Sequence, residues 1–241
     1  MVYNELQILV CGHGNMANEL TAECTRQKNV KAIPFEERDR LVYSSPKNIV
    51  AVHFGSGSQL LELVDFCGTI GAPIIQGSTG GPKMPEITEN PPVIVIKAPN
   101  TALPIVKLLM LMPKLREIFD ECGMVASLKE SHQASKKSVP GTALEIARGL
   151  GINGNDIVSI RDPHVQETEL GVPMEFLTGH GFHFVEALGD GIKMGFYTKV
   201  YGRRVYAAGA IQIARMLISP AVQSSIPPGI YLVGRLLEVM Q

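Results

Sequence analysis

Gln7-Ile8-Leu9-Val10-Cys11-Gly12-His13-Gly14-Asn15-Met16-Ala17 is the stretch that decides the fold. Four of its first five residues are apolar, a glycine turn follows, and Met16, Leu20 and Cys24 then recur at helical spacing. An apolar run cut off by glycine reads as a strand buried on both faces, as in parallel sheets. Glycine at 12 permits a tight turn, glycine at 14 lets phosphates approach the backbone, and the small Ala17 packs helix on strand. The helix then begins with unpaired N–H groups that suit a bound anion. Gly12, His13, Gly14, Asn15 and Met16 are therefore candidate contacts of a dinucleotide.

The same alternation continues downstream. Residues 30–35, 48–54, 72–76 and 92–97 read as further strands, and Leu60, Leu61, Val64 and Cys67 supply the stripe of an intervening helix. Strand and helix in repeated order predict an α/β fold, a Rossmann-like, doubly wound parallel sheet with helices on both faces. Glu37 follows Ala17 by 20 residues, where an acidic side chain commonly meets an adenosine ribose, and Arg38 beside it suits a 2′-phosphate. The pair leaves NADH and NADPH both open. Gly77, Ser78 and Thr79 end the fourth strand, at the sheet edge where ligands gather.

After Ala98-Pro99-Asn100 the pattern changes. A helix carrying Ile105, Leu108, Leu109 and Met112 leads to a strand over 124–128, then a helix ending near Gly149. Residues 182–185 and 194–200 alternate as antiparallel strands do, and 207–217 and 231–240 read as helices. The expectation is a second, α+β domain with a mixed or antiparallel sheet over 103–206. The first domain covers 1–102 and is completed by 207–241.

Composition narrows the class. The 241 residues are 45% hydrophobic and 19% charged with a formal net charge of -1, which gives no reason to expect nucleic acid as a partner. No apolar run approaches the roughly 18 residues that span a bilayer, and the first residues lack a signal-peptide pattern. Cys11, Cys24, Cys67 and Cys122 form no C-x-x-C pair and sit in apolar or helical sequence, so reduced core thiols and a cytoplasmic location are expected. His164, His180 and His183 have no partners at metal-ligand spacing, and no metal is expected.

The chemistry concentrates in Glu130-Ser131-His132-Gln133-Ala134-Ser135-Lys136-Lys137-Ser138-Val139-Pro140-Gly141-Thr142-Ala143-Leu144. A proton carrier and a fixed cation lie four residues apart, just before a turn that opens a helix. That combination suits binding a carboxylate and protonating an atom beside it. From spacing alone, Lys137 competes with Lys136 for the cationic role.

Taken together, these blocks resemble the 4-hydroxy-tetrahydrodipicolinate (dihydrodipicolinate) reductase family. The resemblance spans nearly the whole chain: the glycine turn, Phe66-Cys67, Gly77-Ser78-Thr79-Gly80 in place of the family's G-T-T-G, and Ala98-Pro99-Asn100. It continues through the 130–144 motif to Arg203 and Ala207-Ala208-Gly209-Ala210. It implies an NADPH- or NADH-dependent reductase of lysine and diaminopimelate biosynthesis, acting on a cyclic, imine-containing dicarboxylate and assembled as a homotetramer through the second sheet. By position in the motif, His132 would be the general acid and Lys136 the essential lysine, with Gly141, Thr142 and Arg203 binding substrate carboxylates. Ala98, Pro99 and Asn100 would line the cofactor. Gln133 stands at the family's second histidine, where it can hydrogen-bond substrate without carrying a proton. His53-Phe54-Gly55 replaces D-F-T, Thr101 replaces an aromatic, and the loop before Gly141 is one residue shorter. These departures keep two alternatives open: a paralogous reductase of another cyclic imine, and a nucleotide-binding regulator without catalysis.

Overall fold

A computed structural model describes residues 5–41, 48–78, 86–87 and 90–240. The chain forms two compact units, one of Met1–Leu103 with Arg204–Gln241 and the other of Pro104–Arg203.

In the first unit β1 (Leu6–Cys11), β2 (Val30–Pro34), β3 (Ile49–His53), β4 (Ile74–Gln76), β5 (Ile94–Lys97) and β10 (Gly229–Leu232) form one sheet. Its order is β10-β5-β4-β3-β1-β2, and every pairing is parallel. All six residues of β1 are buried, as its unbroken apolar run requires. Alternate residues serve opposite faces. Leu9, Cys11, Ala51 and Ile74 pack with Leu60, Leu63, Val64 and Cys67 of α2 (Leu60–Ile70), while α1 (Asn15–Arg26) and α6 (Arg204–Leu217) lie against β1. The order reverses between β1 and β3, so the crevice of this sheet lies where those two strands end.

The second unit has a four-stranded sheet ordered β7-β6-β8-β9. It comprises β6 (Val125–His132), β7 (Val158–Ile160), β8 (His180–Gly189) and β9 (Ile192–Tyr201). β6 and β7 are parallel, and the other two pairings are antiparallel. α3 (Leu103–Glu121) and α4 (Gly141–Leu150) cover one face, with Met112, Phe119, Ile146, Ala147 and Leu150 against Leu128, Val185 and Ala187. The short helices α5 (Pro163–Thr168), α7 (Pro220–Ser225) and α8 (Val233–Val239) complete the chain.

The expected fold class is therefore the observed one, with local corrections. Leu61 is exposed and Leu63 takes its place in the core, because α2 starts at Leu60 and its buried stripe is 60, 63, 64 and 67. Tyr231 and Leu232 do not begin a helix; they pair with Ile96 and Lys97 as a sixth parallel strand. Cys122 is exposed, whereas Cys11, Cys24 and Cys67 are buried. Among the described residues, no helix is long and apolar enough to cross a membrane.

Candidate functional site

Three loops meet at the C-terminal edge of the parallel sheet. Gly12 has φ +125°, and a Cβ there would lie 2.7 Å from both N and Cα of Gly55, the loop after β3. A Cβ on Gly77, after β4, would fall 2.2 Å from the Phe54 ring. Glycine is required at both places by close approach. Gly14 differs. It is extended (φ -80°, ψ 178°), exposed, and a Cβ there would meet nothing within 4 Å. No side chain caps α1, and its first turn carries no acidic residue. An open glycine beside an uncapped helix N-terminus fits a pyrophosphate.

His53 is fully buried under this edge. Its Nε2–H donates to Ser56 O at 3.1 Å, and its Nδ1 lies 2.6 Å from the Ser78 hydroxyl, which can donate to it in the neutral ring. Burial lowers its pKa accordingly. The backbone N–H groups of Gly77 and Ser78 both donate to His53 O, at 3.0 and 3.1 Å.

Beyond β2, the structure brings Glu36 to the glycine turn. Its Oε1 accepts from Gln59 Nε2 at 2.8 Å and lies 3.1 Å from His13 Nε2. Glu37 instead pairs with Arg40 on the surface. Arg38 reaches Glu62 at 2.9 Å and stacks over Phe35, 4.5 Å from its centroid. Ala98 is buried and Pro99 exposed, while the buried Asn100 accepts from Ala102 N at 2.9 Å. Thr79 lies outside the described residues.

The second unit holds the other candidates. Strand register puts Ser159, Glu130, His183 and Thr198 in one row across all four strands, on the face that α3 and α4 cover farther along. A polar row on an otherwise apolar face must be satisfied internally. Glu130, wholly buried, accepts from His132 Nδ1 at 2.8 Å, from Arg161 Nη2 at 2.5 Å and Nη1 at 3.0 Å, and from the Ser159 hydroxyl. Burial alone would raise this carboxyl; the hydrogen bonds from His132, Arg161 and Ser159 overcome it and hold the pKa down to about 2.

His132 occupies the next row, opposite Gly181. A Cβ at 181 would stand 3.0 Å from His132 Nε2, so glycine there makes room for the ring. With Nδ1–H given to Glu130, Nε2 is the nitrogen left for proton transfer. Gln166 Nε2 donates to His132 O at 2.7 Å and Ile160 O at 3.0 Å, fixing the backbone. The His183 ring meets His132 edge-on at 5.5 Å, and burial, with the nearby His132 charge, pushes His183 down to about 4. His180 donates from Nδ1 to Phe176 O and accepts from Ser131 Oγ at 2.8 Å. Among the described residues, no group of three or more His, Cys, Asp or Glu is arranged to hold a metal.

A turn follows, closed by Lys136 N donating to Gln133 O at 2.9 Å. Lys136 is half-buried, and its ammonium makes no ion pair among the described residues; Lys137 is exposed. Gly141 and Thr142 open α4 with no acidic residue in the first turn, and a Cβ on Gly141 would meet only open space. Ala143, Ile146, Ala147 and Leu150 anchor that helix through its buried face. Arg203 lies with its guanidinium beside Gly179, next to His180.

Sequence reasoning gave no role to Glu36, Arg161 or Gln166, which the structure ties to His13, Glu130 and the His132 backbone. Glu130 stood in the quoted motif without a role, although an E-x-H pair on a strand shares one face. Arg161 and Gln166 gave no comparable signal, since both act from 30 or so residues away.

No family profile matches the chain. It is 31% identical over 159 residues to the probable 4-hydroxy-tetrahydrodipicolinate reductase 1, chloroplastic, of Oryza sativa subsp. japonica, a match covering 61% of this chain and 46% of that protein. It is 28% identical over 195 residues to the 4-hydroxy-tetrahydrodipicolinate reductase 1, chloroplastic, of Arabidopsis thaliana, covering 75% and 56%. The chain thus spans about half the length of these curated relatives. A dipicolinate-bound dihydrodipicolinate reductase from Paenisporosarcina sp. TG-14 shares the fold, with a TM-score of 0.59, 13% identity and coverage of 95% of this chain and 97% of that one.

Proposed function

We propose that this chain, a divergent relative of the 4-hydroxy-tetrahydrodipicolinate reductases, reduces 4-hydroxy-tetrahydrodipicolinate to tetrahydrodipicolinate with NADPH or NADH, in lysine and diaminopimelate biosynthesis. The observation that carries the reading is the buried Glu130 carboxylate on His132 Nδ1, in the same stretch of chain as Lys136 and the start of α4. NADPH or NADH, when bound, supplies the hydride. The Gly12–Gly14 turn and the α1 N-terminus would hold its pyrophosphate, Glu36 its adenosine ribose, and the Gly77–Ser78 edge its nicotinamide end.

Loss of the 4-hydroxyl as water leaves a conjugated cyclic imine, and addition of hydride to it leaves negative charge on the substrate ring. His132 protonates it from Nε2, while Glu130 stabilises the imidazolium and fixes its tautomer. Lys136 offers its ammonium to a substrate carboxylate and to the developing anion. Gly141 and Thr142 N–H groups seat the carboxylate at the start of α4, and Arg203 suits bidentate binding of a carboxylate. Gln133 contributes a hydrogen bond only.

Purified protein should oxidise NADPH or NADH when given the condensation product of pyruvate and aspartate semialdehyde. His132→Ala should lower kcat by about 10²–10⁴-fold and leave nucleotide binding intact. Nucleotide binding without turnover of that substrate would defeat the assignment. Gln133 at the family's second histidine favours one alternative, a reductase of another cyclic imine, which would then turn over its own substrate.

The reading extends to assembly and location. The sheet face opposite Glu130 and His132 displays Val125, Val158, Leu188 and Tyr197 to solvent, and a second copy of the chain would cover it. Four free cysteines suit a reducing compartment such as the cytoplasm.

A further inference from the structure

The buried ion pair in the second unit is more elaborate than holding one imidazole requires. Arg161 grips both oxygens of Glu130, at 2.5 and 3.0 Å, and its Nη1 also donates to Ile160 O at 3.0 Å. Its Nε donates to the carbonyl of Lys136 at 2.9 Å. Glu130 has no access to solvent, and a desolvated pair of this kind adds little stability over a well-packed apolar one. Its geometry suggests another use. Glu130 holds His132 at one end of the 132–136 loop, and the same guanidinium holds the Lys136 backbone at the other. Only a planar fork with several fixed donors reaches both; an ammonium does not.

We infer that Arg161 is a positioning residue that locks the proton donor at 132 and the ammonium at 136 into one unit, and that with Glu130 it sets the charge facing the His132 ring. The kinetic part rests on the reductase reading above. Around the ring, Glu130 comes from β6 with Arg161 behind it from the end of β7, and His180 and His183 come from β8. Burial keeps both β8 imidazoles neutral near pH 7, so the opposed charges are those of Glu130 and Arg161.

The test uses the full chain with Arg161→Lys, Arg161→Met and Glu130→Gln, each first checked for a cooperative thermal transition. Arg161→Lys keeps the charge but loses the fork, so kcat/KM should fall on the order of 10²-fold with the pH profile in place. Arg161→Met leaves Glu130 unopposed and should move the alkaline limb of kcat/KM to higher pH. Glu130→Gln leaves the guanidinium unopposed and should move it lower. The same opposite displacements should appear, without substrate, in the NMR titration of the His132 ring protons. If the wild type turns over nothing while the titrations diverge as stated, the reductase reading fails and the role of Arg161 stands. Displacement in one common direction overturns the inference. So does an Arg161→Lys enzyme within about twofold of wild type, even where Arg161→Met fails to fold.

Discussion

Gly12 and Gly14 stand two residues apart and answer to different constraints. At Gly12 a side chain would need φ +125° and would strike the Gly55 backbone at 2.7 Å. Gly12→Ala should therefore destabilise the first unit by about 2–3 kcal/mol, read as a lowered melting temperature. Gly14→Ala meets open space in ordinary extended backbone, so its stability should stay within about 0.5 kcal/mol of wild type. Its nucleotide affinity should still fall, because the new methyl occupies the approach to the backbone N–H groups. Calorimetric titration with NADPH and NADH checks this, and unchanged affinity in Gly14→Ala would remove the turn from the cofactor site. Glu130 supports a prediction about pH. Its pKa falls from 4.5 to about 2 on folding, so its contribution, roughly 3 kcal/mol, is fully present above pH 4.5 and lost as pH drops through 2. Melting temperatures of the wild type should decline across that window more steeply than those of Glu130→Gln. Parallel curves would mean that the carboxylate is not held as described.

At the level of elements, legibility followed periodicity. The parallel strands could be read because β1, β3 and β4 are short apolar runs with glycine close behind, and α4 because 143, 146, 147 and 150 mark one stripe. β10 could not. Gly229-Ile230-Tyr231-Leu232 runs straight into the apolar start of α8, and a four-residue buried strand has no period that separates it from a helix. The apolar run covers only the first half of β6, for a related reason. Beyond Leu128 its inward positions are Glu130 and His132, polar residues that break the hydrophobic alternation because they face a site instead of a core. The spacing rule points to Glu37 and cannot resolve one residue, whereas the chain's course after Pro34 turns Glu36 toward His13. The phase of α2 gives the test at this scale. Leu63 is fully buried and Leu61 is 46% exposed. Leu63→Ala should cost about 2–5 kcal/mol in denaturant unfolding and Leu61→Ala less than about 0.5 kcal/mol. The reverse ranking would place the helix in the phase first read from the sequence.

For the whole molecule, a near-neutral chain must reconcile two faces of its second sheet. One face carries the Ser159–Glu130–His183–Thr198 row, whose polar atoms are largely satisfied within the unit. The other leaves Val125 at 74%, Tyr197 at 68%, Leu188 at 55% and Val158 at 51% exposure, in two register rows: Val125 beside Leu188, and Val158 with Tyr197 across Lys129 and Phe184. Scattered exposed apolar residues need no explanation, but four large ones on a single sheet face do. With a net charge of -1 there is little long-range repulsion to keep copies apart. Between the two rows Glu186 pairs with Lys193 at 2.6 Å, beside Ser127, so apolar and polar groups alternate over the face, as they do over interfaces that form reversibly. The chain should therefore sediment at a multiple of 26.1 kDa at micromolar concentration. Leu188→Lys with Tyr197→Lys should shift it toward one copy. Because both side chains point away from Glu130 and His132, the double variant should retain the His132 ring titration of the wild type. A wild-type chain that sediments at 26.1 kDa at that concentration would show that no second copy covers this face.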